Sequence, residues 1–330
     1  MENPGFAPAF HLANPHVQSV VASRPPRSLL VDRCWRILSP SVEDTIVDAG
    51  EGVRLLGHYS RPPDPGNGGL VILIHGWEGS TSSVYMKSAT LALLEDGYAV
   101  FRLNLRDHGD SHHLNEELFH SCRLAEVIRA TSWITERYSP ARLSLAGFSL
   151  GGNFALRVAA AATEYSLDLH SVVAICPVLD PAQTMAALDG GWVFYRKFFI
   201  WKWRDSLQKK MQCFPELYRF RDLNRFTRLE AMTDHFVRHY TEYDDLQSYL
   251  RGYAITGDRL ETLRVPSCVL LADDDPVIPV HGLSELHRTE ALKVFLSQRG
   301  GHCGFIEALN VPSWLDNFIV RQLEDVTKNS

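Results

Sequence analysis

The residues best placed to do chemistry begin with a serine between glycines, Gly147-Phe148-Ser149-Leu150-Gly151. The apolar run 142–146 before it reads as a strand, and 150–163 after it as a helix. A serine on such a turn lifts its hydroxyl above the strand ends, and the flanking glycines remove side chains that would block the turn. The helix start behind it favours developing negative charge. The pattern alone turns up in roughly one chain in ten of this length, so its strand-to-helix setting is what gives it weight. The chemistry this implies is acyl transfer, and that chemistry requires three more groups.

An oxyanion needs two donors. One is the backbone N–H of Leu150, which follows the nucleophile. The second is expected from His75-Gly76-Trp77-Glu78-Gly79, with Trp77 N–H the choice. His75 closes a buried strand and reads as a structural hydrogen-bonder. An orienting acid belongs in the turn after a later strand. There the chain reads Ala272-Asp273-Asp274-Asp275-Pro276, so Asp275 is the choice and Asp274 the alternative. The base is His302 in Gly300-Gly301-His302-Cys303-Gly304-Phe305, the one histidine among 14 that completes the order Ser…Asp…His before the final helix.

Two other groupings are weaker. In Arg106-Asp107-His108-Gly109-Asp110-Ser111-His112-His113, the histidines match no zinc spacing, and His120 does not complete one. This stretch reads as a polar loop at the mouth of the site. The six cysteines (34, 122, 176, 213, 268, 303) include no C-x-x-C pair. That argues against a zinc ribbon, a redox motif or a disulfide framework. No metal and no cofactor are called for.

The elements that must position these groups alternate. Strands are expected from about Glu43, at 53–60, 70–75, 98–103, 142–146, 171–176, 267–272 and 291–297. Helices are expected at 84–95, 117–138, 150–163, 282–289 and 305–325. Arg61–Gly69, with three prolines and three glycines, reads as a loop. Strands alternating with long helices imply an α/β fold with a mostly parallel sheet covered on both faces. Residues 1–42 read as an irregular, proline-rich arm. Residues 43–180 and 256–330 form the core, and 181–255 an inserted helical cap. The cap carries the aromatic cluster Trp192, Phe194, Tyr195, Phe198, Phe199, Trp201 and Trp203 on more than one helical face.

Composition sets outer limits. Of 330 residues, 45% are hydrophobic and 22% charged, with net charge -6, a mix that supports a sizeable core. Without runs of Lys and Arg, nucleic acid is not an expected partner. The start Met-Glu-Asn-Pro-Gly-Phe lacks the basic and apolar regions of a signal peptide, and no apolar stretch reaches about 18 residues. A cytoplasmic protein with reduced thiols is the expectation. Lys and Arg between the cap aromatics (Arg196, Lys197, Lys202, Arg204) also suit peripheral membrane contact.

With these residues in hand, the chain resembles the α/β-hydrolase superfamily, and within it the YheT-like (EMB8-type) hydrolases. The resemblance runs over nearly the whole chain. It rests on Asn14-Pro15-His16-Val17-Gln18-Ser19, the loop from His75 to Tyr85, the elbow Gly147–Asn153, the turn Ala272–Pro276 and Gly300–Phe305. It implies a triad of Ser149, Asp275 and His302, and hydrolysis of a small-molecule ester or acyl lipid. The loop Asn104-Leu-Arg-Asp-His-Gly-Asp-Ser111 departs from the group's usual Asn-x-Arg-Gly turn and is closer to general esterases. Aromatic lining of the cap suggests an apolar acyl or aromatic substrate. Two rival readings share the fold: an acyltransferase that passes the acyl group to an alcohol, and a non-catalytic binding protein. Dehalogenases and epoxide hydrolases carry aspartate at the elbow, where this chain has Ser149.

Overall fold

The computed structural model describes residues 1–38, 40–64, 66 and 69–329. Pro65, Asn67 and Gly68, part of the expected loop, lie outside the described residues. Eight strands form one sheet: β1 (Val42–Asp48), β2 (Arg54–Ser60), β3 (Gly69–Ile74), β4 (Ala99–Leu103), β5 (Arg142–Phe148), β6 (Ser171–Ile175), β7 (Ser267–Ala272) and β8 (Leu292–Ser297). Their order is β1-β2-β4-β3-β5-β6-β7-β8. β1, β2 and β4 pair antiparallel, and the remaining pairs are parallel. This is the α/β-hydrolase fold.

The central strands are buried on both faces, which is why β3 is apolar without alternation. Leu70, Ile72 and Ile74 enter the core on one side, while Val71 and Leu73 enter the other, as the two-residue period of a strand requires. The chain passes from β3 out to β4 and returns to β5 on the opposite side of β3. The order therefore reverses at β3, and a crevice forms beyond the C-terminal ends of β3 and β5.

Ten helices complete the described chain: α1 (Pro15–Val21), α2 (Arg27–Leu38), α3 (Val84–Glu95), α4 (Leu124–Tyr138), α5 (Leu150–Ala161), α6 (Pro181–Gly190), α7 (Val193–Cys213), α8 (Leu229–Tyr240), α9 (Leu246–Tyr253) and α10 (Trp314–Asn329). Four stand between β6 and β7, across the stretch read as a cap.

Four sequence expectations need correction. The arm is not irregular but holds α1 and α2. Asn14 Oδ1 accepts from His16 N and Val17 N, and Pro15 fills the first helical position, a start that Asn-Pro encodes. The final helix begins at Trp314, not 305, because Ser313 and Asp316 cap each other: Ser313 N and Oγ both donate to Asp316 Oδ2 at 2.7 Å. The expected helix 282–289 is a 3₁₀ turn, Val280–Glu285. It ends where Gly257 N donates to Glu285 O and holds the chain against the loop before β7. Likewise α4 starts at Leu124, not 117, since 106–123 is folded into a pinned loop described below.

Candidate active site

Ser149 sits between β5 and α5 with φ 54° and ψ −118°, a left-handed backbone that costs a non-glycine residue about 1–3 kcal/mol. Close packing enforces it. A Cβ on Gly151 would lie 2.2 Å from Ile74 O, so β3 and the start of α5 touch only because that side chain is missing. Ser149 N donates to Ile175 O at 2.8 Å, which ties the turn to β6.

The late loops bring the other two groups to it. Ser149 Oγ lies 3.0 Å from His302 Nε2, and His302 Nδ1 lies 2.9 Å from Asp275 Oδ2. The Asp275 side chain is fully buried; its Oδ1 accepts from Val277 N (2.7 Å) and Ile278 N (3.0 Å), which locks its rotamer. Asp274 does not touch the imidazole: its Oδ1 accepts from Gly301 N at 2.9 Å. Asp273 N donates to Ser297 O. Burial alone would lower the His302 pKa. The Asp275 charge, Cys303 and the Asp275 hydrogen bond together outweigh it and push the imidazole up to about 9.

The Leu150 amide opens α5 immediately after Ser149. The loop carrying Trp77 passes directly beside the serine, since a Cβ on Gly76 would lie 3.2 Å from Ser149 Cβ. The Trp77 ring stacks on Phe199 (5.4 Å, 7°) and meets Trp203 edge-on (5.5 Å), so this loop also seats α7. His75 is fully buried; its Nδ1–H donates to Gly76 O (2.7 Å) and its Nε2 accepts from Leu105 N (3.1 Å). Burial lowers its pKa to about 3. It is a neutral link between strands and does not contact Ser149.

A cavity of about 730 Å³ opens on Ser149 and His302, walled by Trp77, Phe199, Trp203, Phe236 and Tyr249. Glu78 also lines it, and burial pushes its carboxyl up to about 8 against the weaker pull of Lys202. Beneath α7, Lys210 is buried with Asp107 (2.8 Å) and donates to Asn115 O (2.6 Å) and Glu117 O (3.1 Å). Arg106 pairs with Glu126 (2.7 Å) and Glu117 (2.8 Å). These bonds pin the 106–123 loop and fasten α7 onto it.

Sequence reasoning missed the residues that hold the histidine loop. His302 N donates to Ser19 Oγ at 2.9 Å. Gln18 Nε2 donates to Ile306 O (2.8 Å) and its Oε1 accepts from Ile306 N (2.7 Å). Gly301 (φ +54°) and Gly304 lie so close to α1 that Cβ atoms there would fall 2.4 Å from Pro15 O and 2.9 Å from Gln18. The only signal was the Asn14–Ser19 element itself, whose contacts span more than 280 residues.

Comparisons agree with this architecture. A family model described as "alpha/beta hydrolase fold" matches residues 69–214. The chain is 22% identical over 331 residues to YheT of Escherichia coli (strain K12), covering 95% of this chain and 91% of that protein. It is 23% identical over 269 residues to human ABHD15, covering 78% of this chain and 55% of that one. Among solved structures, the Pyrococcus furiosus esterase Pf2001 superposes with TM-score 0.59 at 17% identity, covering 89% and 93% of the two chains. No helix of the described chain is long and apolar enough to cross a membrane.

Proposed function

We propose that this chain, which has the α/β-hydrolase fold and is similar to YheT along nearly its whole length, is a serine hydrolase of carboxylic esters. One observation carries the proposal: the unbroken line from Ser149 Oγ through the His302 ring to Asp275, with steps of 3.0 and 2.9 Å, at the floor of an aromatic cavity. His302 takes the Ser149 proton as the hydroxyl attacks the ester carbonyl, and Asp275 fixes the tautomer and stabilises the imidazolium. The alcohol leaves with the proton returned by His302, and water releases the acid in the reverse sequence. The Leu150 and Trp77 amides hold the oxyanion, each contributing about 3 kcal/mol to the transition state.

Residues 181–255 act as a cap over a core of 43–180 and 256–330, with 1–42 as the strut behind His302. The aromatic walls favour an apolar acyl or aromatic group, because they offer area and few polar anchors. Phe194 and Trp201 are 62% and 60% exposed at the cap surface, among Arg and Lys, which supports contact with a lipid–water interface. The test is hydrolysis of p-nitrophenyl esters of increasing chain length. Ser149→Ala must remove turnover by several orders of magnitude while the circular dichroism spectrum stays unchanged. Residual turnover in that variant at the wild-type rate would refute the assignment.

A further inference from the structure

Two cysteines stand beside the base, and the mechanism above uses neither. Cys176 follows β6 and Cys303 follows His302; both are free and buried. Each sulfur reaches the other's loop: Cys176 Sγ lies 3.9 Å from Gly301 O, and Cys303 Sγ 3.7 Å from Ile175 O. The backbone is left-handed at both, φ 43° and 53°. One donor atom from each of Cys176, His302 and Cys303 lies within 4.8 Å of the other two.

We propose that these three side chains form a binding site for a soft divalent cation of the zinc type, and that its occupation switches hydrolysis off. Two thiolates and an imidazole suit zinc, which takes sulfur at about 2.3 Å and nitrogen at about 2.0 Å in a tetrahedron. Such a centre sets its sulfurs about 3.8 Å apart and each sulfur about 3.5 Å from the nitrogen, so donors within 4.8 Å of one another need close by at most about 1.3 Å. Entry is through the substrate cavity, which His302 and Cys303 both line. Each thiol releases its proton to solvent as it ligates. The fourth position falls to water or to the Ser149 hydroxyl.

Inhibition follows from the ring's two engagements. His302 has one nitrogen on Asp275 and the other on Ser149. Whichever nitrogen the cation takes, one link of the line is replaced, and the imidazole can no longer accept the serine proton. This consequence rests on the esterase reading; the binding site itself does not.

The experiment titrates chelator-stripped protein with Zn²⁺ while following ester turnover, and in parallel with Co²⁺ while following thiolate-to-cobalt charge-transfer absorption. Wild type should lose turnover on binding one Zn²⁺ per chain and regain it with chelator, and Co²⁺ should show the thiolate band. Cys176→Ala should keep its basal turnover and weaken both effects about 100-fold or more, since even outer-sphere partners of a metal are worth roughly 10–100-fold in affinity. Cys303→Ser should weaken the cobalt band likewise, a second variant should Cys176→Ala fold poorly. Zn²⁺ inhibition unchanged in Cys176→Ala, or no thiolate band in wild type, overturns the proposal. A protein that shows the band but hydrolyses no ester keeps the site and loses the esterase reading.

Discussion

Asp275→Asn changes one oxygen of a buried carboxyl to an amide nitrogen and preserves its size. Oδ1 can still accept from Val277 N and Ile278 N, so the turn survives. The altered atom is the one facing His302 Nδ1 at 2.9 Å. An amide NH₂ there donates to Nδ1 and moves the ring proton to Nε2, the nitrogen that must accept from Ser149. The wrong tautomer in comparable triads costs about 10⁴ in kcat, or about 5.4 kcal/mol of transition-state stabilisation. Asp274→Asn is the control. Its amide oxygen can still accept from Gly301 N, the one bond Asp274 Oδ1 makes to the histidine loop, so a loss of less than about tenfold is expected. Both variants are compared by kcat on a p-nitrophenyl ester, with thermal melting to show that folding is intact. Equal losses, or a greater loss at Asp274, would refute the reasoning.

Further predictions concern the base, the cap and the arm. In the proposed mechanism His302 acts unprotonated, and its pKa is raised to about 9, so kcat/KM should rise about tenfold per pH unit between pH 6 and 8 and level off near 9; a profile levelling off near 6.5 contradicts the strong Asp275 coupling. Lys210→Met leaves Asp107 buried without its cation and should cost about 3–5 kcal/mol in denaturant unfolding. Adding Asp107→Asn should recover most of that, and a single-variant loss under about 1 kcal/mol would mean that α7 is not latched there. Ser19→Ala removes the acceptor for His302 N and should lower kcat about tenfold with KM little changed; a change confined to KM would place the arm's role in substrate binding instead.

The buried core was the most legible part of the sequence. The apolar run at β3 and the helix at α3 need only local pattern, and the strand-to-helix turn at Ser149 is written in glycines that the turn itself demands. The helix starts at Asn14-Pro15 and at Ser313…Asp316 were also written locally, as capping signals that a reading of proline content passed over. Other features were not local. The choice between Asp274 and Asp275 turns on which carboxylate faces a ring 27 residues further on. The shortening of α4 depends on Arg106 and Lys210 drawing 106–123 into a loop. Gln18 and Ser19 act on His302 through hydrogen bonds across nearly the full chain, and neighbouring sequence carries no trace of such contacts.

The central claim is that Ser149 is a nucleophile activated by His302. The most direct measurement is labelling with a fluorophosphonate probe, followed by mass spectrometric location of the adduct in wild type and in His302→Ala. A single adduct on Ser149 is expected in wild type, with its loss, or slowing by several orders of magnitude, in the variant. No adduct on Ser149, or equal labelling with and without the imidazole, would contradict it.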